Sequence, residues 1–138
     1  HKTEICNGNL KIKMINVSLI FMDEENLVIN TGSSHCIQFG EDLEHCKVYA
    51  EGQKVRNSPK YLEHGINVNF VQILAGNSIY VRTYERGVEN ETYSCGTGVT
   101  AAALPFINEN KRIKIKTIGG YLIVYAEKIQ QSLVNIWL

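Results

Sequence analysis

Period-two alternation of apolar and polar residues dominates this chain. Leu10-Lys-Ile-Lys-Met-Ile15 opens a stretch reaching Phe21 that has the rhythm of a half-buried strand, and Asn7-Gly8 just before it is a hairpin turn signal. Leu27 to Asn30 reads as a second short strand running into Thr31-Gly-Ser-Ser-His35, a loop of small polar residues that ends at a histidine. Cys36 to Phe39 reads as a further strand. From Asp42 to Val55 the pattern turns helical, with Asp42 or Glu41 near the cap and Gly52 close to the end, before Pro59 breaks the chain. Asn67–Leu74 and Ser78–Tyr84 flank Ala75-Gly-Asn77 and predict an antiparallel hairpin. Glu85 to Tyr93 reads as a polar loop. A short helix from about Thr97 to Leu104, limited by Pro105, comes next. Arg112–Ile118 and Tyr121–Ala126 form a hairpin across Gly119-Gly120, and Leu133–Leu138 is a closing strand.

Many strands, few helices and short turns predict an α+β domain. No crossover helices between parallel strands are apparent, so the sheet is expected to be mostly antiparallel. Val99, Ala101, Ala102, Ala103 and Leu104 make the Thr97 helix small or apolar nearly all round, as a buried helix requires. The expected architecture is therefore a barrel-like layer of sheet curled around a central buried helix.

Bulk properties narrow the classes of function. A chain of 138 residues with 44% hydrophobic and 20% charged content fits a single domain, residues 1–138, with a real core. Fourteen basic and fourteen acidic residues cancel without forming a block of either sign, which argues against nucleic acid or an anionic membrane as partner. Apolar runs such as Tyr121–Ala126 are too short to span a bilayer and the first residues lack a signal pattern, so the chain reads as cytoplasmic. Its start at His1 rather than at a methionine reads as part of a longer polypeptide.

Cys6, Cys36, Cys46 and Cys95 match no small secreted framework and are expected to be free thiols. His35-Cys36 and His45-Cys46 pair zinc-ligating residue types. Neighbours on a strand point to opposite faces, however, so each doublet offers a site only one ligand, and no metal is expected.

Tyr93-Ser-Cys-Gly-Thr-Gly-Val-Thr-Ala-Ala-Ala103 sets a cysteine at the start of the second helix. There, unpaired backbone N–H groups and the macrodipole create a positive potential that favours thiolate over thiol. Gly96 and Gly98 clear side chains from the same turn, so an anionic group can approach the N–H groups directly, and a carboxylate would fit. Against this stands the reading of Cys95 as a small buried hydrophobe beside turn-forming glycines. Glu85-Arg86, just upstream, pairs an acid with a base that could take the ammonium and carboxylate of an amino acid, although such a pair is also common on solvated surfaces. Asn67 and Asn69 offer amides at a strand start, where turn chemistry is the alternative.

Arg82-Thr-Tyr-Glu-Arg-Gly-Val-Glu89 followed by Glu91-Thr-Tyr-Ser-Cys-Gly-Thr-Gly98 resembles an active-site motif of diaminopimelate epimerase. Thr31–His35, Gly65-Ile-Asn-Val-Asn-Phe-Val-Gln72, Gly119-Gly120 and Val134-Asn-Ile-Trp-Leu138 occur in the family's order, so the resemblance covers nearly the whole chain. It implies an epimerase that interconverts L,L- and meso-diaminopimelate, for lysine and cell-wall synthesis, by a two-cysteine mechanism without cofactor or pyridoxal phosphate. By resemblance Cys95 is one of two bases, His35 adjusts cysteine ionisation, and Glu85 serves catalysis and binding together. Gly96 and Thr97 would offer N–H groups to the α-carboxylate, Arg86 would bind a substrate carboxylate, Asn67 would help at the distal end, and Ser33 occupies a ligand position.

The departures from the family also carry expectations. The family's second cysteine sits in a Cys-Gly-Asn-Gly segment of an amino-terminal domain, and nothing here matches it; Cys6-Asn-Gly-Asn9 reads as a turn. The chain stops at Leu138, before a Gly-Pro-Ala that usually follows. It therefore reads as the carboxy-terminal half of a two-domain epimerase, with the amino-terminal domain as its missing partner, inactive alone and with homodimerisation left open. Ser34 stands where proline is usual, and Ser94 replaces an alanine. Rival readings are a proline racemase-like half-enzyme and a non-catalytic binding or oligomerisation module on the same scaffold.

Overall fold

Among the described residues two α-helices thread the sheet, and each carries the chain between parallel strands. The computed structural model describes residues 2–18, 20–23 and 26–138. Its strands are β1 (Thr3–Cys6), β2 (Asn9–Ile12), β3 (Ile20–Asp23), β4 (Asn26–Asn30), β5 (Ser34–Phe39), β6 (Asn67–Ile73), β7 (Ser78–Glu85), β8 (Asn90–Thr92), β9 (Arg112–Thr117), β10 (Gly120–Ile129) and β11 (Ser132–Trp137). The helices are α1 (Val48–Arg56) and α2 (Gly96–Ala103), and α2 runs on into a 3-10 turn at Leu104–Phe106 that contains Pro105.

β1 and β2 form a separate hairpin whose turn, Asn7-Gly8, has φ values of 50° and 77°, the left-handed pair that a two-residue hairpin turn requires. The remaining strands lie in the order β11-β10-β9-β7-β6-β5-β4-β3, with β8 added to β7. β5 pairs with β6 in parallel across α1, and β7 pairs with β9 in parallel across β8 and α2. The sheet is thus mixed, with antiparallel pairs in the majority, which corrects the expectation that no helix crosses between parallel strands. Parallel pairing needs a connection of a dozen or more residues, and both helices lie inside such connections.

A closed barrel is not formed by this ladder among the described residues, in which β3 and β11 are its two ends. The segment between β2 and β3 instead lies along β11: Met14 N donates to Ile136 O at 2.9 Å and Val17 N to Leu133 O at 2.9 Å. The strand expected over Leu10–Phe21 is therefore split between β2, this bridging segment and β3. Leu19, within it, lies outside the described residues, as does His1.

The first helix begins six residues later than the Asp42 to Val55 pattern predicts. Arg82 on β7 explains the delay. Its Nη1 donates to Leu43 O at 2.6 Å and Cys46 O at 3.0 Å, carbonyls that a longer helix would have used. The other face of that guanidinium grips Glu91 on β8 by two bonds of 2.7 and 2.8 Å. Gly52 is no terminator either. A β-carbon there would lie 2.3 Å from Cβ of Tyr84, so glycine is what lets α1 press onto β7.

The two helices lie against two cores. Val48 of α1, with Val28, Cys36, Val68, Phe70 and Tyr84, forms one cluster. Val99, Ala101, Ala102 and Ala103 of α2 form the other, with Ile29, Ile37, Val71, Val81, Ile115, Val124 and Ile136. β6 feeds both, since Val68 and Phe70 join the first cluster and Val71 the second, as a period-two strand buried on both faces must. The α2 alanines and Val99 are 0% exposed, so this helix is the central buried one that its composition predicts.

Candidate active site

Five of the buried polar side chains gather where α2 begins: Thr31, His35, Asn67, Asn69 and Thr83. Burial of polar groups is costly unless they are hydrogen-bonded, and these are bonded to one another and to the first turn of the helix. Their positions follow from strand periodicity. Asn67 and Asn69 alternate with Val68 on β6, and β5 places His35 directly beside Asn67 in the parallel register. Cys36 points the other way into the α1 cluster, where burial pushes its thiol up to about 11. The two members of the His35-Cys36 doublet thus face opposite sides of the sheet.

Cys95 is the residue before α2, with extended backbone (φ −119°, ψ 113°), and its carbonyl accepts the first helical bond from Val99 N at 2.8 Å. The N–H groups of Gly96, Thr97 and Gly98 precede that bond and lack an acceptor within the helix. Cys95 Sγ lies 3.4 Å from Thr97 Oγ1. Thr97 Oγ1 lies 3.0 Å from His35 Nε2 and 3.3 Å from Ser33 Oγ, and Ser33 Oγ is 2.9 Å from the same ring nitrogen. On the far side of the ring Asn69 Nδ2 donates to His35 Nδ1 at 3.0 Å, while Thr83 Oγ1 donates to Asn69 Oδ1 at 2.9 Å. Thr31 Oγ1 donates to Thr97 O at 2.9 Å and pins the His35 loop to the helix.

The polar cluster is built around a neutral imidazole. Burial, reinforced by the positive charge of Arg86, pulls the His35 pKa down to about 4. Asn67 spends its amide on structure: Nδ2 donates to Ser34 O at 3.0 Å and Ser33 Oγ at 3.3 Å, and Oδ1 accepts from Arg86 N at 2.9 Å. The Arg86 guanidinium reaches back to His64 O at 2.7 Å while staying exposed. Glu85 is half-buried at the end of β7. Ser33, His35, Asn67, Arg86, Thr97 and Cys95 are thus joined in one hydrogen-bonded group. Among the described residues none of its bonds reaches the Glu85 carboxylate.

Thr31 and Thr83 carry no site role in the sequence reading, whereas Asn69 is named there beside Asn67 as an amide at a strand start, and period-two spacing puts the two on one face. Cys6, by contrast, ends β1 at the exposed Asn7-Gly8 turn, as its sequence context predicts. All four cysteines are free.

Tyr93 and Ser94, just before Cys95, are exposed, Tyr93 at 77%, while Cys95 itself is 8% exposed. A cavity of about 660 Å³ opens beside this point and not over it, lined by Leu10, Lys11, Tyr121, Trp137 and Leu138 among others. Leu138 is the link between the two, since its Cδ2 lies 3.2 Å from where a β-carbon on Gly96 would stand. A thiol at a helix start, next to a hydroxyl and three unpaired N–H groups, can exchange a proton and hold an anion.

Residues 27–136 match the family model described as diaminopimelate epimerase. The curated relative of that name from Flavobacterium psychrophilum is 38% identical over 142 residues, covering 100% of this chain and 56% of its own length. The one from Aquifex aeolicus is 49% identical over 109 residues, 75% of this chain and 39% of the relative. The chain thus spans about half the length of the first of these relatives, and less of the second. Among solved structures, a phenazine biosynthesis protein of the PhzF family from Enterococcus faecalis superposes with a TM-score of 0.53 at 15% identity, covering 85% of this chain and 42% of that one. A PhzF-family protein from Bacillus anthracis gives 0.50 at 17% identity, with 87% and 37% covered. At these identities the two structures show a common fold alone.

Proposed function

The chain belongs to the diaminopimelate epimerase family, and from that premise we propose that it supplies one of the two acid/base faces of a cofactor-independent epimerase acting on L,L- and meso-diaminopimelate. Inverting a carbon requires a proton to leave from one face and another to arrive on the opposite face, so two groups must flank the α-carbon. Cys95 is the group this chain contributes; the other belongs to the amino-terminal half that such relatives carry. Without an electron sink, the developing carbanion needs fixed dipoles at the α-carboxylate. The unpaired N–H groups of Gly96 and Thr97, at the positive end of α2, have the direction and location for that work.

The other side chains take supporting roles. Glu85 and Arg86 at the end of β7 bind the substrate's ammonium and carboxylate groups, and Ser33 and Asn67 border the distal end. His35 acts on Cys95 through Thr97 as an uncharged hydrogen-bonding partner, given its low pKa. The domain is read as the carboxy-terminal half of the enzyme, working inside the cytoplasm, and alone it binds without inverting. The observation that carries this reading is Cys95 capping the buried helix with its sulfur beside the Thr97 hydroxyl.

Protection from alkylation tests it. Cys95 is expected to be alkylated more slowly when diaminopimelate is present, with no protection by proline. Equal protection by proline favours a proline racemase-like site, and protection by neither ligand contradicts the substrate assignment.

A further inference from the structure

The hydrogen bonds between Thr83 and Cys95 form one continuous chain. Thr83 Oγ1 donates to Asn69 Oδ1, and the Asn69 amide, which can only donate through Nδ2, gives its proton to His35 Nδ1. A ring nitrogen that accepts carries no proton of its own, so the one proton of the neutral ring sits on Nε2. From there it is presented to Thr97 Oγ1 at 3.0 Å or to Ser33 Oγ at 2.9 Å, and those two hydroxyls are 3.3 Å apart. By either route a Thr97 hydroxyl that has accepted a bond is left with its own hydrogen for Cys95 Sγ at 3.4 Å.

We propose that Asn69 is a positioning residue that fixes the His35 tautomer and thereby sets every donor in the chain Thr83–Asn69–His35–Thr97 toward the Cys95 sulfur. Its place supports this assignment. Asn69 is 0% exposed, its amide oxygen lies 2.4 Å from where a β-carbon on Gly98 would stand, and it joins β5, β6, β7 and the first turn of α2. A second proton on the ring would have to enter at Nδ1, against the Asn69 N–H and near the charge of Arg86. Donor chains of fixed sense polarise one another, so the last hydroxyl is a better partner for a sulfur anion than an isolated threonine would be. The inference rests on the proposed function only in taking Cys95 as the reacting group.

Nitrogen-15 NMR of the imidazole rings tests it without any substitution. The expected result is a His35 ring with a single proton, on Nε2, from pH 5 to pH 8; a proton on Nδ1, or on both nitrogens, overturns the proposal by showing the amide turned the other way. In Asn69→Asp the carboxylate accepts where the amide donated, and the ring is expected to hold both protons at pH 7. A singly protonated ring in that folded variant also overturns it. Asn69→Leu is expected to slow Cys95 alkylation at pH 7 by about threefold or more, whereas an unchanged rate removes the link to the sulfur. None of these readouts needs turnover. A protein with the Nε2 proton but no affinity for diaminopimelate would sink the functional reading and leave the role of Asn69 standing.

Discussion

The amide oxygen of Asn69 lies 2.4 Å from the point where a β-carbon on Gly98 would stand, so helix α2 and strand β6 meet at a spot with no room for a methyl group. Gly98→Ala is therefore expected to destabilise the fold by about 1–3 kcal/mol, the usual range for overpacking. It also pushes Asn69 away from His35. Urea unfolding reads the first effect and the rate of Cys95 alkylation the second; a variant with parental values in both would show that the contact is not tight.

Among the described residues, Thr97 is the side chain within hydrogen-bond reach of both Cys95 Sγ and the His35 ring. Thr97→Val keeps the shape and removes the hydroxyl. A hydrogen bond to a charged group contributes about 1.5–3 kcal/mol, so alkylation of Cys95 at pH 7 should slow by about tenfold or more. Thr97→Ser should restore most of the rate. Equal rates in the valine and serine variants would contradict the role given to the hydroxyl.

His35 makes stability depend on acid. Its folded pKa, about 4, lies below the ordinary 6.5, so between those values the unfolded chain binds a proton that the folded protein refuses. Stability is complete above about pH 6.5 and falls as the pH drops, by roughly 2–3 kcal/mol between pH 7 and pH 4.5. Urea midpoints at the two pH values should therefore differ less in His35→Gln than in the parent. Parallel losses in the two proteins would mean that His35 does not titrate in this window.

Cys36 and Cys6 provide an internal contrast. Cys36 is 0% exposed and its pKa is raised to about 11 by burial, whereas Cys6 is exposed at a hairpin turn. In native protein at pH 8 iodoacetamide should modify Cys6 and leave Cys36 untouched until urea unfolds the chain. Modification of Cys36 in native protein would show that the α1 cluster opens.

Much of this fold is legible in the residues, because strand alternation and turn glycines are local signals. Asn7-Gly8 announces its hairpin, and the run Val99–Ala103 announces a buried helix. Pairing direction is not local. Nothing near Ser34–Phe39 says that its neighbour across α1 runs parallel, and nothing near Leu43 says that Arg82, 39 positions away, will take its carbonyl and shorten the helix. The site divides in the same way. Cys95, Gly96 and Thr97 stand out because they are consecutive at a helix start. Asn69 stands out only as an amide on the face of Asn67 and Thr83 not at all, because the partners that give them their place come from other strands.

The central claim is that this chain holds one of two bases, and proton NMR of L,L-diaminopimelate incubated with it in deuterated buffer tests that claim most directly. The account predicts that the chain alone yields no meso isomer. Appearance of the meso isomer with deuterium at the inverted α-carbon would contradict it, because a single thiol cannot serve both faces.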